Sequence, residues 1–108
     1  MTVKALSELE LFKPIILSEP EREISGVYIG DLLSWVMGRA QSGDAWITIM
    51  SNLNILAVAS LADTSCIILA EGVTLENEVI ETAKQKSINI ISAECSIYDT
   101  AVFLSQIL

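Results

Sequence analysis

The segment from residue 46 to residue 72 constrains the fold more than any other part of the chain. Two short runs rich in β-branched residues, 46–50 and 66–70, flank an apolar segment of about helix length, 55–62. The polar corner 51–54 separates the first run from that segment. Two strands joined by a helix form a βαβ unit with parallel strands, and this pattern therefore predicts α/β architecture.

The rest of the chain repeats this alternation of strands and helices. We predict strands at 12–17, 24–29, 45–50, 66–70 and 88–92, and helices at 3–11, 31–40, 52–62, 74–86 and 96–108. Thr2, Asp31 and Ser96 are expected to cap helices, and Pro14 predicts an edge or irregular strand. The expected fold is a three-layer α/β domain, with a mainly parallel sheet and helices on both faces. It is one domain over residues 1–108, with a helix and an irregular segment in 1–23 and the core in 24–108.

Composition excludes several classes of function. The formal net charge is −8, from 14 acidic and 6 basic residues, so the protein repels phosphate backbones and anionic lipids, and we expect no nucleic-acid or membrane partner. There is no histidine, the commonest general base and metal ligand. The glycine spacing of 38–43 resembles a P-loop but lacks its Lys-Ser/Thr. With no signal peptide or membrane span in the pattern, we expect a cytoplasmic protein.

An excess of apolar residues predicts self-association. The hydrophobic fraction is 52% and the mean hydropathy is +0.55, which is high for a small domain. Trp35 falls off the apolar stripe of its helix, and the helix at 55–62 is apolar on nearly every side. We therefore predict a homodimer interface that includes Trp35, Ile55, Leu56 and Ala59. The alternative to an interface at Trp35 is that a neighbouring loop of the same chain covers this side chain.

A binding site is expected where parallel strands end and helices begin. That edge of the sheet collects hydroxyl, amide and carboxylate side chains and one glycine, namely Ser51, Asn52, Asn54, Glu71, Gly72, Thr74, Glu94 and Ser96. Two carboxylates and no cationic side chain at this edge disfavour the binding of a nucleotide by its phosphates. A basic residue from a partner chain, or a divalent cation that bridges the acids, would remove this objection.

Catalysis at this edge has little chemical support. Cys95 has no histidine to serve as its base, and Glu94 beside it favours the protonated thiol. Glu71 and Glu94 could in principle form an acid/base pair or hold a metal ion, and this is the enzyme alternative. We predict no catalytic residue, no metal site and no cofactor.

Three segments resemble the DRTGG domain family: Trp-Ile-Thr-Ile-Met-Ser-Asn-Leu-Asn-Ile-Leu-Ala at 46–57, Cys-Ile-Ile-Leu-Ala-Glu-Gly at 66–72, and Ser-Ile-Tyr-Asp-Thr-Ala at 96–101. The family is also similar to the N-terminal domain of HPr kinase/phosphorylase. Residues 24–31 and 43–44 of this chain resemble the start of that domain. This sequence departs from both naming motifs, since 51–54 reads Ser-Asn-Leu-Asn in place of Asp-Arg-Thr and 70–72 keeps only the final glycine.

The resemblance implies a regulatory, dimerising role with catalysis in other domains, such as the phosphotransacetylase domains and CBS-containing pyrophosphatases beside which the family occurs. Our leading hypothesis is a non-catalytic regulatory and dimerisation domain that binds a small ligand at the strand ends. The alternatives are a small enzyme that uses Glu71 and Glu94, or an adaptor that docks on a larger metabolic enzyme.

Overall fold

The computed structural model describes residues 1–108, and five strands of the chain form one sheet. The sheet order is β1–β5–β4–β3–β2, with strands β1 (Phe12–Ile16), β2 (Gly26–Ile29), β3 (Asp44–Thr48), β4 (Cys66–Leu69) and β5 (Ile90–Ala93). The helices are α1 (Val3–Ser7), α2 (Leu33–Arg39), α3 (Asn54–Ala62), α4 (Asn77–Gln85) and α5 (Ile97–Ile107). The longest has 11 residues, so no helix could cross a bilayer.

The sheet is parallel except at one edge. Strands β2 to β5 run parallel, and β1 pairs antiparallel with β5. The register of this last pair shifts between Pro14 and Ile16. Proline has no N–H to donate to the ladder, which explains the irregularity. The prediction of an irregular edge strand at this position is confirmed.

Helices cover both faces of the sheet, which confirms the predicted three-layer α/β fold. Alternate residues of each strand point to opposite faces. On one face Trp46, Leu69 and Ile90 belong to a core cluster with α2, α3 and α4. On the other face Ile47 and Ile68 belong to a second cluster with α1 and α5.

The N-terminal segment is built into the core. The hydroxyl of Thr2 accepts a hydrogen bond from the Ala5 amide at 3.0 Å, so Thr2 caps α1 as its residue type predicts. Val3 and Leu6 are completely buried in the second cluster. Residues 1–23 thus supply an edge strand and part of the core.

The structure corrects the predicted start and packing of α2. Leu32, not Asp31, occupies the N-cap position, and no side chain caps the helix. Of the apolar residues that recur at helical spacing here, Val36 is buried, whereas Leu32 and Met37 are 58% and 46% exposed. The helix packs beside α3 at the β2 end of the sheet, so this short helix has few neighbours to cover it.

The structure also corrects the prediction for α3. Ile55, Leu56 and Ala59 are buried within the protomer, at 0%, 1% and 3% exposure, and their side chains cannot contact a second chain. The sheet and the neighbouring helix α2 cover most of α3, so it needs no partner chain for this purpose. Leu61 alone projects from α3 as a large exposed apolar side chain, at 71% exposure.

Candidate functional site

A cleft opens at the carboxyl ends of β3 and β4, between the β3–α3 loop and the β4–α4 loop. Its volume is about 490 Å³, and it is lined by Ser51, Asn52, Leu53, Thr74, Leu75, Glu76 and Glu78. Ligands of open parallel sheets bind at this end of the strands. The structure therefore brings Ser51, Asn52 and Thr74, three of the predicted site residues, to one cavity.

The β3 side of the cleft is held by a small hydrogen-bond network. The Asp31 carboxylate accepts bonds from the Thr48 hydroxyl at 2.7 Å and from the Ile49 amide at 3.0 Å. The Thr48 oxygen in turn accepts a bond from the Met50 amide at 3.2 Å. These bonds set the direction of the chain as it leaves β3 and enters the cleft wall.

Asn52 forms the turn that leads into α3. Its side-chain oxygen accepts a hydrogen bond from the Asn54 amide at 3.0 Å, which is an Asx turn. The side-chain NH₂ of Asn52 has no bond within the protein and is exposed. Asn52 thus presents two donors to a ligand in the cleft.

The β4 side of the cleft begins with a left-handed corner. Glu71 and Gly72 have φ angles of 61° and 70°. Their amides donate to the carbonyls of Cys95 and Ala93, at 2.8 and 3.2 Å, which ties the corner to the end of β5. This corner sends the chain toward Thr74 at the cleft wall.

Several predicted site residues have structural roles outside the cleft. The Glu71 carboxylate accepts a hydrogen bond from the Ile97 amide at 2.9 Å, and the Ser96 hydroxyl accepts one from the Asp99 amide at 3.0 Å. Both therefore satisfy donors at the start of α5, and the predicted cap at Ser96 is confirmed. Asn54, Gly72 and Glu94 also lie outside the cleft lining.

Sequence reasoning missed the two acids that line the cleft. Glu76 is the N-cap residue of α4 and Glu78 lies in its first turn, where negative charge is also favourable for the helix dipole. Their place directly after the β4–α4 loop was the signal that could have assigned them to the site. With two carboxylates and no cation, the cleft favours a hydrogen-bonding ligand without negative charge.

The two acids of the enzyme alternative have different partners. Glu71 is bound to the start of α5, while Glu94 is 81% exposed at its side chain and lies 4.0 Å from the Lys13 ammonium. No group of three or more His, Cys, Asp or Glu side chains could hold a metal ion. The two carboxylates thus have separate partners within the protein, and this edge has no cluster of metal-ligating side chains.

Both cysteines are free thiols with different environments. Burial raises the pKa of Cys66 to about 12, because the interior disfavours the charged thiolate. Cys95 is partly exposed, and its Sγ lies 3.2 Å from the Thr100 hydroxyl oxygen. Neither thiol has a basic side chain as a hydrogen-bond partner.

Comparison with known proteins identifies a family and a fold neighbour. The model of the DRTGG domain family matches residues 16–107. Among solved structures, the chain is similar to the CBS and DRTGG domains of the regulatory region of Clostridium perfringens pyrophosphatase, complexed with the activator diadenosine tetraphosphate, with a TM-score of 0.65 and 20% identity. The match covers 83% of this chain and 40% of that one. A comparison with curated proteins finds no significant match.

Proposed function

The chain belongs to the DRTGG domain family, and from this premise we propose that it is a non-catalytic regulatory domain that binds a small polar ligand in the cleft at the carboxyl ends of β3 and β4. A regulatory role is supported by the solved neighbour, in which a DRTGG domain lies within the regulatory region of an enzyme. The observation that carries the proposal is the convergence of Ser51, Asn52 and Thr74 on one cleft.

The chemistry of the cleft limits the class of ligand. The Asn52 amide and the hydroxyls of Ser51 and Thr74 can hydrogen-bond a neutral polar group, and Leu53 and Leu75 supply apolar contact. Glu76 and Glu78 repel a phosphate but attract an amine or a hydroxyl-rich group. We therefore expect a neutral or cationic metabolite, or the uncharged part of a larger one.

A thermal-shift screen against a metabolite panel tests the ligand proposal. A ligand that binds only the folded state at 100 times its Kd adds about 2.7 kcal/mol of stability, which is a readily measured rise in Tm. Asn52→Ala and Thr74→Ala should each reduce that rise, whereas Ser105→Ala, an exposed hydroxyl on α5, should leave it unchanged. Equal shifts in all three variants would place the ligand elsewhere.

We also propose that the domain forms a homodimer through the edge of the sheet at β2 and the neighbouring helix α2. Five large apolar side chains are exposed around this edge: Leu32, Trp35 and Met37 in or beside α2, and Val27 and Ile29 on the opposite face of β2. Residues 24–43 contain one acid and one base, so this region has no net charge in a chain of net charge −8. Two copies can therefore approach here with little electrostatic repulsion.

The free edge of the sheet supports the same contact surface. β2 is the last strand of the sheet, so one side of its backbone has no strand partner. Proteins usually cover or interrupt such an edge, and a two-fold axis allows two copies to cover it together. The Arg39 guanidinium lies 3.7 Å from the centre of the Trp35 ring and holds this half-exposed side chain at the surface.

Sedimentation velocity at micromolar concentration tests the dimer. Trp35→Glu should give monomers, because it places a charge among the exposed apolar side chains of α2. Tyr98→Glu is the matched control, since Tyr98 is an exposed aromatic on α5, on the other side of the sheet from α2 and Trp35. A wild-type monomer would refute the dimer.

Finally, two free thiols fit a reducing compartment, and we propose that the domain acts in the cytoplasm.

A further inference from the structure

A second cavity lies at the opposite end of the sheet from the cleft. Its volume is about 200 Å³, and it is formed by the residues that precede β4 and β5, the ends of α3 and α4, and the β1–β2 connection. The Asn89 side chain fixes its base, because it accepts a bond from the Glu19 amide at 2.8 Å and donates to the carbonyls of Glu19 and Ser65 at 2.8 and 3.0 Å. Asn89 is 3% exposed, so the cavity has a rigid polar floor.

One buried hydroxyl in this cavity has no partner. Thr64 lines the cavity and is 8% exposed, and its Oγ1 is the only buried side-chain polar atom of the protein without a hydrogen bond. Buried polar atoms nearly always have a partner, because an unpaired one keeps the full cost of its desolvation. The hydroxyl is therefore available to a small polar group held in the cavity.

The cavity also contains cationic side chains, which the cleft lacks. It is lined by Arg22 and Lys86, two of the six basic residues of the chain. One Arg22 nitrogen, Nη2, bonds the carboxylate and the carbonyl of Asp63, at 2.8 and 2.6 Å, and the other guanidinium N–H groups have no partner in the protein. Lys86 makes no ion pair. With Glu19 and Asp63 included, the cavity is neutral, whereas the cleft has two acids and no base.

The two helix ends at this cavity are partly closed by hydrogen bonds. The last carbonyls of a helix carry partial negative charge when they are unpaired. At α3, the amides of Asp63 and Thr64 bond the carbonyls of Ser60 and Ala59. At α4, the amides of the two residues after Lys86 bond the carbonyls of residues 84 and 83. These closing bonds pair the carbonyls of residues 59, 60, 83 and 84, whereas those of Leu61, Ala62 and Gln85 have no donor within the protein.

We infer that this cavity binds a small oxyanion of the phosphate class. The Lys86 ammonium and the unpaired N–H groups of Arg22 supply charged donors, and the hydroxyls of Ser60, Thr64 and Ser87 supply neutral ones. The volume suits a single phosphoryl-sized group and is below the range typical of whole metabolites. The inference is independent of the cleft, which lies at the other end of the strands.

Inorganic phosphate is the probe for this cavity. Its binding is measured by the thermal shift of the protein and by broadening of the phosphorus NMR line, with sodium chloride at equal ionic strength as reference. Lys86→Ala should weaken phosphate binding by roughly ten-fold, the loss of one charge-assisted hydrogen bond of about 1.4 kcal/mol. Lys84→Ala is the matched control, because it removes the same charge two residues earlier, where the ammonium pairs with Glu81 at 3.4 Å. It should leave phosphate binding unchanged.

Thr64→Val provides a second test that is insensitive to net charge. The substitution is close to isosteric and removes the unpaired hydroxyl, so the folded state should be at least as stable while phosphate binding weakens. Asn52→Ala, in the cleft, should leave phosphate binding intact, which separates this site from the ligand site proposed above. No binding beyond that of chloride, or equal weakening by Lys86→Ala and Lys84→Ala, would overturn the inference.

Discussion

The network at the end of β3 makes a quantitative prediction for Asp31. Its carboxylate is exposed, but it accepts two hydrogen bonds, from the Thr48 hydroxyl and the Ile49 amide. Thr48 itself is completely buried. Asp31→Ala removes both bonds and leaves the Thr48 hydroxyl donor without its acceptor in the interior.

The magnitude follows from these contacts. Hydrogen bonds to charged groups contribute about 1.5–3 kcal/mol each, and exposure of the carboxylate to water favours a lower value. We therefore expect Asp31→Ala to lower the free energy of unfolding by roughly 2 kcal/mol. At about 2.1 cal/mol/K of unfolding entropy per residue, this loss corresponds to a fall in Tm of roughly 9 °C. Asp31→Asn keeps an acceptor oxygen and should cost less than half as much.

A double-mutant cycle with Thr48→Val measures the coupling directly. Urea unfolding of the wild type, both single variants and the double variant should show that the two losses are not additive, with an interaction energy of about 1 kcal/mol. Strict additivity would show that Asp31 and Thr48 do not interact. A change of less than about 0.5 kcal/mol for Asp31→Ala, the range of ordinary surface substitutions, would refute the argument.

Three further predictions concern the core, the thiols and the acid response. Ile67→Ala, at a fully buried position of β4, should destabilise the domain by about 2–5 kcal/mol in urea unfolding. A thiol reagent at pH 8 should modify Cys95 in the native protein and Cys66 only after denaturation, since burial raises the pKa of Cys66 to about 12. The Ser42 hydroxyl and the Arg22 guanidinium bond Asp63 and lower its pKa, so its contribution to stability is complete above the unfolded pKa of about 3.9 and is lost as pH falls through the lower folded value. Asp63→Asn should remove that part of the acid-induced loss in a pH series of thermal melts.

The local chemistry of several elements was predictable from the sequence. Thr2 and Ser96 cap their helices as their residue types indicate, and Pro14 lies in an irregular edge strand. Asp31 has the same capping chemistry, yet it bonds the end of β3. A cap depends on neighbours within the same turn, whereas the alternative partner of Asp31 is 17 residues away in the chain, at a distance that only the folded sheet closes.

The candidate site was predictable in position but only partly in composition. Parallel strands bring their carboxyl ends to one edge, so Ser51, Asn52 and Thr74 could be placed together. Glu71 was assigned to the same site, but its carboxylate bonds the start of α5. The choice between ligand and protein partners depends on side-chain directions and loop conformations, which residue type does not specify.

The alternation of β-branched runs with helix-length segments determined the α/β class, the parallel strands and the edge at which a site could form, because periodicity and residue type act over a few neighbouring residues. Only the tertiary structure decided which surfaces remain open. Ile55, Leu56 and Ala59 were predicted to face a partner, but the sheet and α2 bury them, while Trp35 stays half-exposed. Burial is a property of what packs against a residue, and that is set by contacts between segments distant in the chain.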